Sequence, residues 1–249
     1  MKKNFLAVAV LVVGVMMISV AGVVNANPIN VVDYSSLTGI GLITFDDVAG
    51  GPAPGTNYDN LFESDGAMFG EHFAGQTLSY NGNSDVLSGA PTGGTLNLVA
   101  GSASQNLNVF NYSSNVLTGL GPLGFPDFDA IGEGAISLVF DNDQSEFGFQ
   151  LLGGDMGSAY IYFYARNASL IDTIQLNNLS DSYYGFSREG GVNDIAGISI
   201  YNLDGGGIGF DNLKHDVPGK NENPVPEPST MLLLGIGVAV LTGIKFKKK

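Results

Sequence analysis

From Gly39 onward, apolar residues recur at alternate positions in short runs separated by turn residues. The runs are GLITFDD, GQTLSY, GTLNLVAG, NLNVFN, AISLVFD, SEFGFQLLG, SAYIYFYA, SLIDTIQLN, SYYGFSR, IAGISIYN and GIGFDNL. A two-residue period sends successive side chains to opposite faces of a strand, so these runs predict an all-β chain. In SEFGFQLLG, Phe147, Phe149 and Leu151 share one face. In SAYIYFYA, Ile161 and Phe163 oppose Tyr160, Tyr162 and Tyr164, which puts bulk on both faces, as a central strand requires. No helical period intervenes, and the glycine-rich connections between regular strands predict a jelly-roll-like β sandwich. The stretch from Asp47 to Gln76 lacks the alternation and reads as a long loop crossing one end of the sandwich. No internal repeat of fixed period is present.

Composition narrows the picture. The 249 residues include 36 glycines, 10 prolines and no cysteine, so disulfides, thiolate nucleophiles and cysteine-ligated zinc are unavailable. All 24 acidic side chains lie between Asp33 and Glu227, a stretch with only four cations (Arg166, Arg188, Lys214, Lys220), for a net −20. Such a body disfavours nucleic acid, whose affinity comes from Lys and Arg displacing counterions from phosphates, and is repelled by anionic membranes. Its length of roughly 200 residues suits a single core.

The remaining cations sit at the two ends. Residues 1–26 have a positive start, an apolar stretch from Phe5 and small residues in VNA, the layout of a secretory signal peptide cleaved after Ala26. The sandwich is expected over 27–217 and a polar, proline-containing linker over 218–225. Ser229 to Ile244 is an uncharged stretch of about 24 Å as a helix, marginal for a bilayer core of roughly 30 Å. Phe246 and the lysines around it extend it, with the lysines expected on the cytoplasmic side. Pro226 and Pro228 keep the preceding segment extended and exposed.

The order Pro226-Glu227-Pro228, Ser229, Thr230, short apolar helix and terminal lysines resembles the PEP-CTERM sorting signal of exopolysaccharide-producing Gram-negative bacteria. That resemblance implies a membrane-anchored precursor, recognised and cut near the triplet by an exosortase and then delivered to the cell surface or matrix. The body, from ITFDD through FGFQLLGG to GGIGFDNL, is similar to the ectodomains common in that family and to jelly rolls of the carbohydrate-binding-module type. This implies a fold rather than a ligand.

Three sets of residues are candidates for chemistry in the body. Asp46 and Asp47 end the first run and Asp211, followed by Asn212, ends the last. If those strands pair, their oxygens suit calcium, although each Asp could equally cap a turn through its own backbone. Asp141, Asn142, Asp143 and Glu146 in DNDQSE lack the EF-hand glycine and read as a solvated hairpin turn. Phe125 and Phe128 with Asp127, Asp129 and Glu133, and Tyr183 and Tyr184 with Phe186, Arg188 and Glu189, could stack on and hydrogen-bond a glycan, or could simply be core and turn residues.

Nothing nominates a catalytic pair. With 24 acids, carboxylate pairs are uninformative for a glycosidase. The only histidines are His72 and His215, and no Gly-x-Ser-x-Gly elbow is present. GLGPLG and GGGIG lack a phosphate lysine and a following helix, so they do not read as nucleotide loops. The expectation is an exported, non-enzymatic surface or exopolysaccharide-matrix protein, structural or glycan-interacting. The alternatives are a calcium-dependent carbohydrate-binding module and, behind it, a secreted glycan-active enzyme.

Overall fold

The computed structural model describes residues 29–216. The signal peptide, the linker, the Pro226-Glu227-Pro228 triplet and the apolar segment after it lie outside the described residues. Among those described, the chain is all-β with three short 3-10 turns, and no helix is long and apolar enough to cross a membrane.

The first half is built from short strands: β1 (Ile29–Val32), β2 (Gly41–Ile43), β3 (Thr56–Tyr58), β4 (Phe62–Ser64), β5 (Ala67–Gly70) and β6 (His72–Phe73). They are followed by β7 (Thr77–Asn81), β8 (Ser84–Ser88), β9 (Leu98–Val99), β10 (Leu107–Asn111) and β11 (Asn115–Gly119). The second half has longer ones: β12 (Ile136–Gln144), β13 (Glu146–Gly153), β14 (Ser158–Tyr164), β15 (Leu170–Asn177), β16 (Ser182–Arg188), β17 (Ile195–Leu203) and β18 (Ile208–His215).

Two antiparallel sheets face each other. The larger runs β1-β16-β13-β18-β11-β10-β3, with β2 also paired to β18, and the smaller runs β15-β14-β17-β12-β5-β4. Period-2 alternation explains what lies between them. Phe147, Phe149 and Leu151 of β13, Phe186 of β16 and Phe210 of β18 meet Ile161 and Phe163 of β14 and Ile198 of β17 in one continuous core. The rings of Phe163 and Phe186 approach across the two sheets with centroids 5.4 Å apart. Each such ring removed from water contributes about 1.5–3 kcal/mol, which is what holds two otherwise polar sheets together.

The tyrosine face of β14 is also covered, as bulk on both sides of that strand predicts. The segment from β6 to β9, with the β7–β8 hairpin in the middle, lies over the outside of the smaller sheet. Phe73 and Leu96 meet Tyr164 and Ala196 there, and Leu87 meets Ala135 and Tyr201. Tyr160 and Tyr201 stack with centroids 5.0 Å apart and planes 14° from parallel.

Two sequence expectations are corrected. Asp47–Gln76 is not one long loop: it holds β3, the β4–β5 hairpin and the two-residue β6. These strands are two to four residues long, and hairpin pairing at the sheet edges stands in for a visible alternation. The acidic DND of DNDQSE is not a turn but the end of β12, which reaches Gln144 through a register shift after Val139; the reversal comes at Ser145. Asp143 is held there by an ion pair to Arg166.

Candidate functional site

The outer face of the larger sheet carries a groove whose floor follows from strand parity. Leu151 of β13, Phe210 of β18, Leu117 of β11 and Val109 of β10 point into the core, so their neighbours Leu152, Gly209, Thr118 and Phe110 face outward. The register sets Leu152 opposite Gly209 and Thr118 opposite Asn108, and the pairing of Leu117 with Phe210 brings the two rows together. Gly209 keeps the middle of the floor low, since a Cβ there would stand 2.5 Å from Cγ1 of Val116. Tyr112 at the β10–β11 turn, Phe128 and Ile131 of the loop after β11, Ala53, Asp181 and the Gly206–Gly207 turn complete a cavity of about 330 Å³.

The loop bearing Phe128 is fixed by its backbone. Gly121 donates to the carbonyl of Ala130, the carboxylate of Asp127 accepts from the N–H of Asp129 at 3.0 Å, and Leu120 bridges to Ile131. Farther along, the carbonyl of Gly132 accepts from Nδ2 of Asn202 at 2.7 Å and from the N–H of Ile208 at 3.0 Å. The loop is thus pinned while the Phe128 ring is 65% exposed, and Tyr112 beside the same groove is 72% exposed. Exposed apolar side chains gathered around one cleft are a usual mark of an interaction site, whereas single scattered ones are not.

A second, more polar cleft of about 500 Å³ adjoins the first, and Phe128, Ile131 and Gly206 line both. Its other walls include Asn81, Asn83, Ser84, Asp129 and Glu133. Glu133 is 5% exposed and accepts a short hydrogen bond from the Ser84 hydroxyl. Burial raises its carboxyl above the usual range, the Ser84 bond opposes this, and the Asp204 and Asp129 charges add to it. Asp204 fixes the Gly205–Gly207 turn by accepting from the N–H groups of Asp155, Gly157 and Gly206.

Of the residues singled out in the sequence for glycan contact, Phe128 lies at the centre of the site. Phe125 is in the same loop, partly buried, and lines neither cleft. Tyr183 and Tyr184 are separated by strand alternation. Tyr184 turns inward, its ring 5.7 Å from that of Phe149, and Tyr183 turns outward against Tyr34 at 5.1 Å. Asp181, two residues before Tyr183, does reach the groove, where its carboxylate accepts from the N–H of Gly153 at 2.6 Å. Phe110 and Tyr112 escaped the sequence reading because NVFNY reads as an ordinary strand and turn.

The strand before Asp46-Asp47, β2, does pair with β18, which holds Asp211, with Ile43 opposite Leu213. The side chains are occupied in local bonding. Asp47 accepts from the Ser64 hydroxyl at 2.6 Å and the N–H of Asp65 at 3.2 Å. Asp211 accepts from the Ser114 hydroxyl and the N–H of Asn212, both at 2.6 Å. Burial and then the charge of Asp46 raise the Asp211 carboxyl, while those two hydrogen bonds oppose the rise. Among the described residues no group of three or more His, Asp or Glu side chains could hold a metal ion. His72 is paired with Glu71 at 2.9 Å, and His215 is buried against Phe140, so neither histidine lines a cleft.

Fold and groove together define a β-sandwich protein with a preformed surface site. Where the chain is sent is set by its end: residues 224–249 match the PEP-CTERM protein-sorting motif, in agreement with the resemblance noted from Pro226-Glu227-Pro228. The motif indicates an exosortase-sorted protein, exported through the membrane to the cell surface or beyond. No curated protein and no solved structure matches the chain. The two ends of β18 serve different parts of this arrangement. Ile208 and Gly209 line the groove, whereas His215 and Asp216 lie at the opposite, C-terminal end of the strand.

Proposed function

We propose that this chain is an exported, non-enzymatic carbohydrate-binding protein, carried on a jelly-roll-like sandwich and delivered by exosortase to the cell surface or exopolysaccharide matrix. In this reading residues 1–26 direct export and are removed. The apolar helix and terminal lysines hold the precursor in the inner membrane of a Gram-negative cell, and Pro226-Glu227-Pro228 is presented outside it for processing. Calcium would enter only as a support for the turns at Asp46, Asp47 and Asp211.

The observation that carries the binding role is the exposed Phe128 ring on a pinned loop, between one apolar and one polar cleft. A sugar ring has an apolar C–H face and a hydroxyl rim. Phe128, Tyr112 and Phe110 supply surfaces for the first, and Asp181, Asn81, Asn83 and Asp129 supply partners for the second.

The test is a polysaccharide pull-down and oligosaccharide array with the full-length protein and with Phe128→Ala and Tyr112→Ala, with and without chelator. Retention on at least one glycan, weakened about tenfold or more by each substitution and indifferent to chelator, is expected. Equal retention by all three proteins removes the groove from the explanation. Mass spectrometry of surface and medium fractions tests delivery: the mature protein should lack its tail, and Glu227→Ala should retain Lys249.

A further inference from the structure

The carbohydrate reading leaves open which chemical class of chain the clefts accept, and charge placement narrows it. The described residues hold 22 acidic side chains and only three Lys or Arg. All three cations are engaged away from the clefts: Arg166 with Asp143, Arg188 with Asp194, and Lys214 with the carbonyl of Leu37. No Lys or Arg lines either cleft, while carboxylates stand around the Phe128 ring on several sides. Asp181 lies in the apolar cleft, and Asp129 and Glu133 lie in the polar one.

We propose that the joined clefts select a polysaccharide bearing free amino groups, such as de-N-acetylated hexosamine units, with one sugar on either side of Phe128. This rests on the carbohydrate-binding reading and deepens it. Two features of the site favour a protonated amino sugar over its neutral or acidic counterpart. An ammonium group near the face of Phe128 or Tyr112 is attracted by the ring quadrupole, an interaction a neutral acetamide lacks. A carboxylate lines each cleft, Asp181 in the apolar one and Asp129 in the polar one, so the amino group of a unit in either cleft has a charged acceptor. An anionic chain meets the reverse situation: carboxylate against carboxylate, with no guanidinium or ammonium of the protein in either cleft to compensate.

The two cavities, about 330 and 500 Å³, give room for a short run of sugar units rather than a single one. Their shared border is made by Phe128, Ile131 and Gly206, so the ring is placed as a divider between neighbouring units.

The experiment is isothermal titration calorimetry of the full-length protein, at a pH where sugar amines are protonated, with three tetrasaccharides: fully de-N-acetylated glucosamine, its N-acetylated form and an oligouronate. Because any acidic protein attracts polycations weakly, specificity is read from variants. Asp129→Asn/Asp181→Asn removes two charges at the clefts, and Asp33→Asn/Glu63→Gln removes two elsewhere.

The amino-sugar tetramer is expected to bind most tightly and the uronate not at all. The cleft double variant should weaken amino-sugar binding about tenfold, and the control pair should change it less than about twofold. If the N-acetylated tetramer binds as tightly as the amine and is weakened only by Phe128→Ala, the amine selection is overturned while carbohydrate binding stands. Equal weakening by the cleft pair and the control pair also overturns it, because the attraction is then diffuse. If no tetramer binds, the amine selection is overturned, and the carbohydrate reading stands or falls separately on the pull-down and array.

Discussion

The carboxylate of Asp204 accepts the backbone N–H of Gly157 at 2.6 Å while only 1% of the residue is exposed. The same two oxygens take the N–H groups of Asp155 and Gly206, so one side chain joins the β13–β14 connection to the turn before β18. Hydrogen bonds to a charged group contribute about 1.5–3 kcal/mol each, and buried N–H groups left without acceptors cost nearly as much. Asp204→Ala is therefore expected to lower the unfolding free energy in urea by about 3 kcal/mol, and Asp204→Asn, which keeps one acceptor oxygen, by roughly half that. Because Gly206 and Gly207 line the clefts, the alanine variant should also lose ligand affinity.

Two phenylalanines should respond in opposite ways. Phe149 is fully enclosed, in ring contact with Phe147, Phe186 and Phe210, and its replacement by alanine is expected to cost about 3–5 kcal/mol. Phe128→Ala removes a ring that is mostly in water and should change stability by less than about 0.5 kcal/mol. Paired urea titrations of the two variants check this, and a large loss for Phe128→Ala would show that the ring supports the loop rather than a ligand.

Stability should fall as the pH rises from about 4 to neutrality. Asp85, at the start of the β7–β8 return, is 1% exposed and its side chain accepts the N–H of Ala135 at 3.0 Å. Burial pushes its carboxyl up to about 7 from 3.8; the Ala135 bond opposes the rise and the charge of Glu71 adds to it. A group with a raised folded-state pKa binds its proton in the native chain after the unfolded chain has released it. Its contribution is complete below about pH 4 and is lost progressively up to about pH 7. On the order of 4 kcal/mol should disappear between pH 4 and pH 8 from this residue. Asp85→Asn, which keeps the acceptor and cannot ionise, should flatten that slope in urea midpoints measured across the range.

Asp47 tests the turn reading against the calcium reading. Its bonds to Ser64 and Asp65 tie the turn after β2 to the β4–β5 hairpin, so Asp47→Ala is expected to cost about 1–2 kcal/mol. The loss should be the same in millimolar calcium and in chelator. A loss seen only with calcium present would instead make the aspartate a ligand.

Strand parity was legible in the residues themselves. The side chains of Phe147, Phe149 and Leu151 do face one way, and those of Tyr160, Tyr162 and Tyr164 the other, because a two-residue period needs no knowledge of distant partners. Tyr183 and Tyr184 show the same rule used too loosely: adjacent residues on a strand cannot share a face, so they could not form one aromatic patch. The groove was beyond local reading. Phe110, Phe128, Leu152 and Gly209 come from four separated segments that meet only because β18 lies between β13 and β11. The short β3, β4 and β5 were hidden for a related reason, since edge pairing rather than a periodic face fixes them.

The two jobs of β18 have a mechanical consequence. Eight residues in extended conformation place Ile208, in the groove, and His215, at the C-terminal end of the strand, roughly 25 Å apart. Asp216 is clamped at that far end, both of its oxygens accepting from the N–H of Ser145 at 3.0 Å. In the proposed arrangement, a pull applied through the C-terminal end of β18 while the groove holds a polymer runs along the axis of this one strand. Its ladders to β13 on one side and to β11 and β2 on the other then bear the load together, in shear, instead of opening one rung at a time.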